Sequence, residues 1–122
     1  MLRALALLAA LHTTPAADSV AGAWKISGDV SGNPLNVTCT ITRAVNTLSG
    51  SCTDEAGPPS ALTGEVKDGK VSFQYDIMYQ GQPLTLAFSG ALATPTQMKG
   101  SIEVRPMGVY GTFSAAPAPK KP

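Results

Sequence analysis

Histidine is almost missing from this chain: the single one, His12, lies within the first dozen of 122 residues. A Ser-His or Cys-His catalytic device, which needs an imidazole beside its nucleophile, is therefore excluded once the N-terminal segment is set aside. Cysteine is scarce too, with only Cys39 and Cys52. Two thiols with no third or fourth ligand do not make a zinc site. Charged residues form no run of one sign, and nine basic residues face eight acidic ones. Without clustered Lys and Arg there is no electrostatic footprint for nucleic acid. Glycines occur singly inside strand-like segments and precede no helical pattern, so no phosphate-cradling loop is present. Carboxylates remain as acid or base candidates. Asp29, Glu65, Asp76 and Glu103 fall on the polar side of the alternation, while Asp54, Glu55 and Asp68 fall near turns. None is set by pattern in an apolar pocket, so the expectation is a protein without enzymatic activity, cofactor or metal.

The N-terminal segment, "MLRALALLAALHTTPAA", has one basic residue, an apolar run from Ala4 to Leu11 and then small and polar residues. That is the layout of a secretory signal, and its apolar run is too short to span a bilayer. We expect residues 1–17 to be removed after Ala16 or Ala17, with "SVA" ending at Ala21 as another small-x-small site, and the mature protein to be periplasmic or extracellular. A sequon at Asn36 matters only on a eukaryotic secretory route. The remainder, about 105 residues, suffices for one domain with a modest core.

From Ala23 onward, apolar and polar residues alternate with period two, and helical periodicity is absent. The spacing predicts eight strands, over 23–30, 35–43, 47–54, 61–67, 70–79, 83–93, 97–105 and 108–115. Turn chemistry separates them: Gly32 and Pro34, Asp68-Gly69, and Gly81. Eight antiparallel strands on short connections make a meander, which removes its edges by closing into an up-and-down barrel. The barrel domain is expected over 18–115, with 116–122 as a disordered Pro, Ala and Lys tail. Apolar positions such as Trp24, Ile26, Val37, Ile41, Leu62, Phe73, Phe88, Ile102 and Phe113 share the inner face. Lys25, Thr38, Thr40, Glu65, Gln74 and Lys99 share the outer one. A wet exterior excludes an outer-membrane barrel. The hairpin about Ala44 to Thr47 sets Cys39 opposite Cys52, and in an oxidising compartment they pair. A disulfide closing a loop of that size stabilises by about 3 kcal/mol in the chain-entropy model.

One pattern repeats: apolar, any, Gly, any, apolar, in "LSGSC", "LTGEV", "FSGAL", "MKGSI" and "VYGTF". Glycine on the inner face lets a strand coil, so Gly50, Gly64, Gly90, Gly100 and Gly111 are read as closure points that leave room inside. Candidate ligand-cavity residues are Trp24, Phe73, Tyr75, Tyr79, Leu86, Phe88, Ile102 and Phe113, with Met78 and Met107 at a rim. Tyr75 and Tyr79 are read as facing inward, where each hydroxyl needs a partner or offers a handle to a ligand.

With "GAW" opening the first strand, "LSGSCT", "LTGEVKDGKVSFQYDI", "GQPLTLAFSGAL", "MKGSIEV" and the closing "GTF", the chain resembles the calycin superfamily, and within it small lipocalin-like barrels of bacterial periplasmic and secreted proteins. That resemblance implies an interior holding one small apolar ligand, with Trp24 packed at the closed end. Its protease-inhibitor branch implies instead a protein partner met by the N-terminal arm, here "DSVAG", or by the loop rim. An eight-stranded interior can also be filled by its own side chains. Cavity, filled core and protein-binding rim stand open at this point.

Overall fold

A computed structural model of the chain describes residues 20–54 and 58–118; the signal-like segment 1–17 and residues 119–122 of the expected tail lie outside them. Eight strands follow in order: β1 (Gly22–Val30), β2 (Asn33–Ala44), β3 (Thr47–Thr53), β4 (Ser60–Lys67), β5 (Lys70–Tyr79), β6 (Gln82–Thr94), β7 (Gln97–Arg105) and β8 (Val109–Pro117). Each is antiparallel to the next, and β8 pairs back onto β1, so the sheet is a closed meander barrel. Strand edges differ from the expected ones by a residue or two. The largest difference is at the C-terminus, where Ala116 and Pro117 continue β8 beside Lys25 and Trp24, and the Ala118 amide donates to the Ala23 carbonyl at 2.9 Å.

Alternation puts the apolar face inside. Trp24, Ile26, Cys39, Ile41, Leu48, Leu62, Phe88, Met98 and Ile102 are all but fully enclosed, and no polar or charged residue is buried among the described residues. Cys39 stands directly opposite Cys52, their Cα atoms are 4.0 Å apart, and the two are joined in a disulfide inside the barrel.

Turn chemistry sets the register. Ser31-Gly32, Asp68-Gly69 and Gln80-Gly81 each have positive φ at both residues, the two-residue hairpin geometry whose twist matches that of the strands it joins. The repeated inner glycines serve closeness rather than space. A Cβ at Gly50, Gly64, Gly90, Gly100 or Gly111 would collide with a backbone carbonyl of the neighbouring strand, and Gly90 faces Gly100 across β6 and β7. The room expected beside these glycines is thus taken by the adjoining strand.

One turn runs against local preference. Val45 is β-branched, 85% exposed and held at φ 59°, where its side chain crowds its own backbone. Arg43 Nε donates to the Val45 carbonyl at 2.6 Å and helps to hold that conformation. Since such a conformation costs a non-glycine residue roughly 1 to 3 kcal/mol, Val45→Asn is expected to stabilise the domain by about 1 kcal/mol. A higher urea midpoint with an unchanged m-value is the checking measurement.

Candidate functional site

The barrel has two unlike ends. Turns β2–β3, β4–β5 and β6–β7 gather at one, together with the chain just before β1. There the buried Trp24 donates from Nε1 to the Val20 carbonyl at 2.9 Å, and Val20 itself is 1% exposed. An indole N–H taken from water needs such an acceptor, and meeting it folds Val20 across this end. Val20, in the expected "DSVAG" arm, is therefore part of the barrel plug.

Above Trp24 the interior is filled by rings. Phe73 and Phe88 stack with centroids 4.7 Å apart, Phe88 meets Phe113 edge-on at 5.2 Å, and Tyr75 stacks on Phe88 at 5.7 Å. Each such pair contributes about 0.5 to 1.5 kcal/mol beyond its buried area. Four of the eight candidate cavity residues, Phe73, Tyr75, Phe88 and Phe113, thus pack on one another, and Ile102 and Trp24 are sealed with them.

Toward the other end, where turns β1–β2, β5–β6 and β7–β8 meet, the filling stops. A cavity of about 320 Å³ opens there, walled by Val30, Pro34, Leu35, Ile77, Leu84, Leu86, Val104 and Val109, with Ser31, Asn33, Tyr79 and Met107 at its edge. Two of the candidate cavity residues, Leu86 and Tyr79, line it, as does the candidate rim residue Met107. Tyr79 faces the side that alternation indicates, yet it is 53% exposed, because β5 runs past the layer of side chains that would cover it. The remaining wall residues went unnamed as cavity residues because alternation gives the face and not the height along the barrel. Nearness to the three open-end turns is the signal that identifies them.

Met78, the other rim candidate, is 68% exposed and points away from this cavity, along the free side of β5. A wider depression of about 690 Å³ on the outer wall is floored by strand backbone and fringed by Glu65, Lys67, Asp68, Lys70 and Lys99. Its open form and mixed charge are those of a surface groove between side chains.

No protein-family model matches the chain. No curated protein matches it either. Solved structures do match. A redesigned beta barrel, b11L5F_LGL, is 18% identical with a TM-score of 0.62, covering 86% of this chain and 96% of that one. A redesigned beta barrel, mFAP1, solved bound to DFHBI, is 18% identical with a TM-score of 0.60, covering 84% and 99%. A de novo designed fluorescence-activating beta barrel is 14% identical with a TM-score of 0.59, covering 85% and 98%. At these identities the likeness is one of fold: an eight-stranded antiparallel closed barrel.

The electrostatics of the interior centre on Tyr75. Burial, and after it the negative charge of Asp54, push its phenol well above the ordinary tyrosine range, so it stays protonated at neutral pH. A group whose folded pKa is raised contributes stability below its unfolded pKa and loses it as pH rises. Unfolding free energy is therefore expected to fall above about pH 10. Urea titrations between pH 8 and 11.5 should show this slope in the parent and a smaller one in Tyr75→Phe.

Proposed function

We propose that the protein is an exported, non-enzymatic lipocalin-like barrel that binds one small, uncharged, largely apolar molecule at its open mouth. The observation that carries this reading is the mouth cavity, whose wall is aliphatic and whose lining, among the described residues, includes no charged side chain. Its volume lies at the small end of the roughly 300 to 1,000 Å³ common for small-molecule sites, which suits a single ring system or a short branched chain. Polar atoms sit only at the edge, on Ser31, Asn33 and Tyr79. They would meet the polar end of a guest whose apolar end enters first. Barrels of the same form solved with DFHBI give the reading a precedent for small-molecule binding.

Export draws its support from the signal-like N-terminus and the enclosed disulfide. The absence of enzymatic activity draws its support from the carboxylates: Asp29, Glu65 and Asp76 are exposed on the outer wall, outside any apolar pocket of the kind that houses a catalytic acid or base. The calycin resemblance belongs with this reading. Its protease-inhibitor branch fits less well, because Val20 is spent on plugging the closed end. A protein-binding role through the rim retains one observation in its favour, the exposed Met78, Tyr79, Met107 and Tyr110.

Titration of the purified chain with an uncharged naphthalene dye that brightens in apolar surroundings tests the carrier reading. Enhancement is expected to saturate at one dye per chain. Val109→Trp and Leu35→Trp, which fill the mouth from half-buried positions, should weaken the dye at least tenfold with little change in melting temperature. Unsaturable enhancement, or full affinity in both variants, would contradict the reading.

A further inference from the structure

Three positions ahead of the barrel wall end on the small residue that a leader peptidase reads: Ala16, Ala17 and Ala21. Val20 lies between the first two and the third. The place of cleavage therefore decides whether the mature chain keeps Val20 or loses it.

The fold uses Val20 in two ways. Its side chain is buried in the same core cluster as Trp24, Ile41 and Leu48, and its carbonyl accepts the Trp24 Nε1 hydrogen at 2.9 Å. An indole nitrogen donates one hydrogen and accepts none, so Val20 meets the whole polar demand of the buried Trp24. A chain without Val20 lacks both the acceptor and the seal.

Gly22 shows that the segment ahead of the barrel is built into it. Between Val20 and Trp24 the chain folds over the closed end, and Gly22 carries that turn at φ 128°, an angle that side chains rarely adopt. A Cβ there would meet nothing within 4 Å, so close approach to a neighbouring strand does not call for glycine at this position. The turn that brings Val20 to Trp24 does. In a chain cut after Ala21, Gly22 would be the first residue, with no turn to carry and a charged ammonium opposite the buried Ile41.

We propose, resting on the export reading above, that the leader is removed upstream of Val20, after Ala16 or Ala17. Ala21 is not a processing site, although Ser19-Val20-Ala21 fits the small-x-small pattern. Val20 to Gly22 stay with the mature protein as a built-in plug, held by one backbone carbonyl and one apolar side chain. Export then delivers a barrel shut at one end and open at the mouth.

Expression of the full chain in a bacterial host, with intact-mass measurement and N-terminal sequencing of the exported protein, tests the position. The expected first residue is Ala17 or Asp18. A first residue of Gly22 overturns the inference and leaves export standing, whereas a chain that stays in the cell with its leader attached overturns the export reading and this inference with it. Two chains made without a leader, beginning at Asp18 and at Gly22, test the physical reason. Trp24 is the only tryptophan, so its fluorescence reports on the plug alone. The chain beginning at Gly22 is expected to melt at least about 5 °C lower, with its emission moved to the red and its quenching by iodide increased. Gly22→Ala should lower the melting temperature by about 5 °C in the chain beginning at Asp18 and leave the chain beginning at Gly22 unchanged, since a first residue has no preceding peptide to turn. Equal melting temperatures and equal emission in the two parent chains, or an unchanged melting temperature for Gly22→Ala in the longer one, would overturn the plug and the processing position inferred from it.

Discussion

Backbone closeness is the constraint on which this barrel depends. Eight strands must curve into a narrow tube, and the tube can close only where adjoining strands approach without a Cβ between them. The glycines at 50, 64, 90, 100 and 111 supply that approach, and at each a Cβ would run into a carbonyl of the next strand. At Gly50 the demand is conformational as well, since its φ of 154° lies in territory that side chains rarely enter. Two of these glycines also face aromatic residues across the ladder, Gly64 opposite Phe73 and Gly100 opposite Phe113. The rings spread over the bare backbone and pack on Phe88 at the centre. Pairing of glycine with an aromatic residue across strands is a known device for stabilising curved sheets.

From that filled centre the asymmetry of the ends follows. Below it, Trp24 and the Cys39–Cys52 bridge occupy neighbouring positions, since Cys39 faces Trp24 on one side and Cys52 on the other. Val20 then closes the end by accepting the indole hydrogen bond. Above it, the strands diverge in length: β3 has 7 residues and β4 has 8, whereas β5 has 10 and β6 has 13. Long hairpins raise the rim around the mouth cavity. Filled centre and mouth are consequences of one arrangement in which glycines set the closure and strand lengths set the opening.

Much of this was legible in the chain because local chemistry and the final structure agree. The two-residue turns at Asp68-Gly69 and Gln80-Gly81, the alternation from Trp24 to Phe113 and the pairing of Cys39 with Cys52 each depend on neighbours that sequence already fixes. What escaped depends on height along the barrel or on contacts between distant segments. Val20 is one polar acceptor away from being a free arm, and nothing local states that Trp24 will claim it. Ala116 and Pro117 belong to a segment whose composition reads as a loose tail, yet β1 offers them a ladder partner. Tyr79 lies on the inner face by alternation and is exposed because the covering layer ends below it.

The division of the interior into a packed floor and an open mouth is the central claim, and xenon tests it most directly, because it enters dry apolar cavities without needing any specific chemistry. Methyl resonances followed under increasing xenon pressure should shift at Ile77, Leu84, Val104 and Val109 and stay fixed at Ile26, Ile41, Leu48 and Leu62. Shifts spread through the second group would mean that the floor is hollow, and no shifts at all would mean that the mouth is closed; either result contradicts the division.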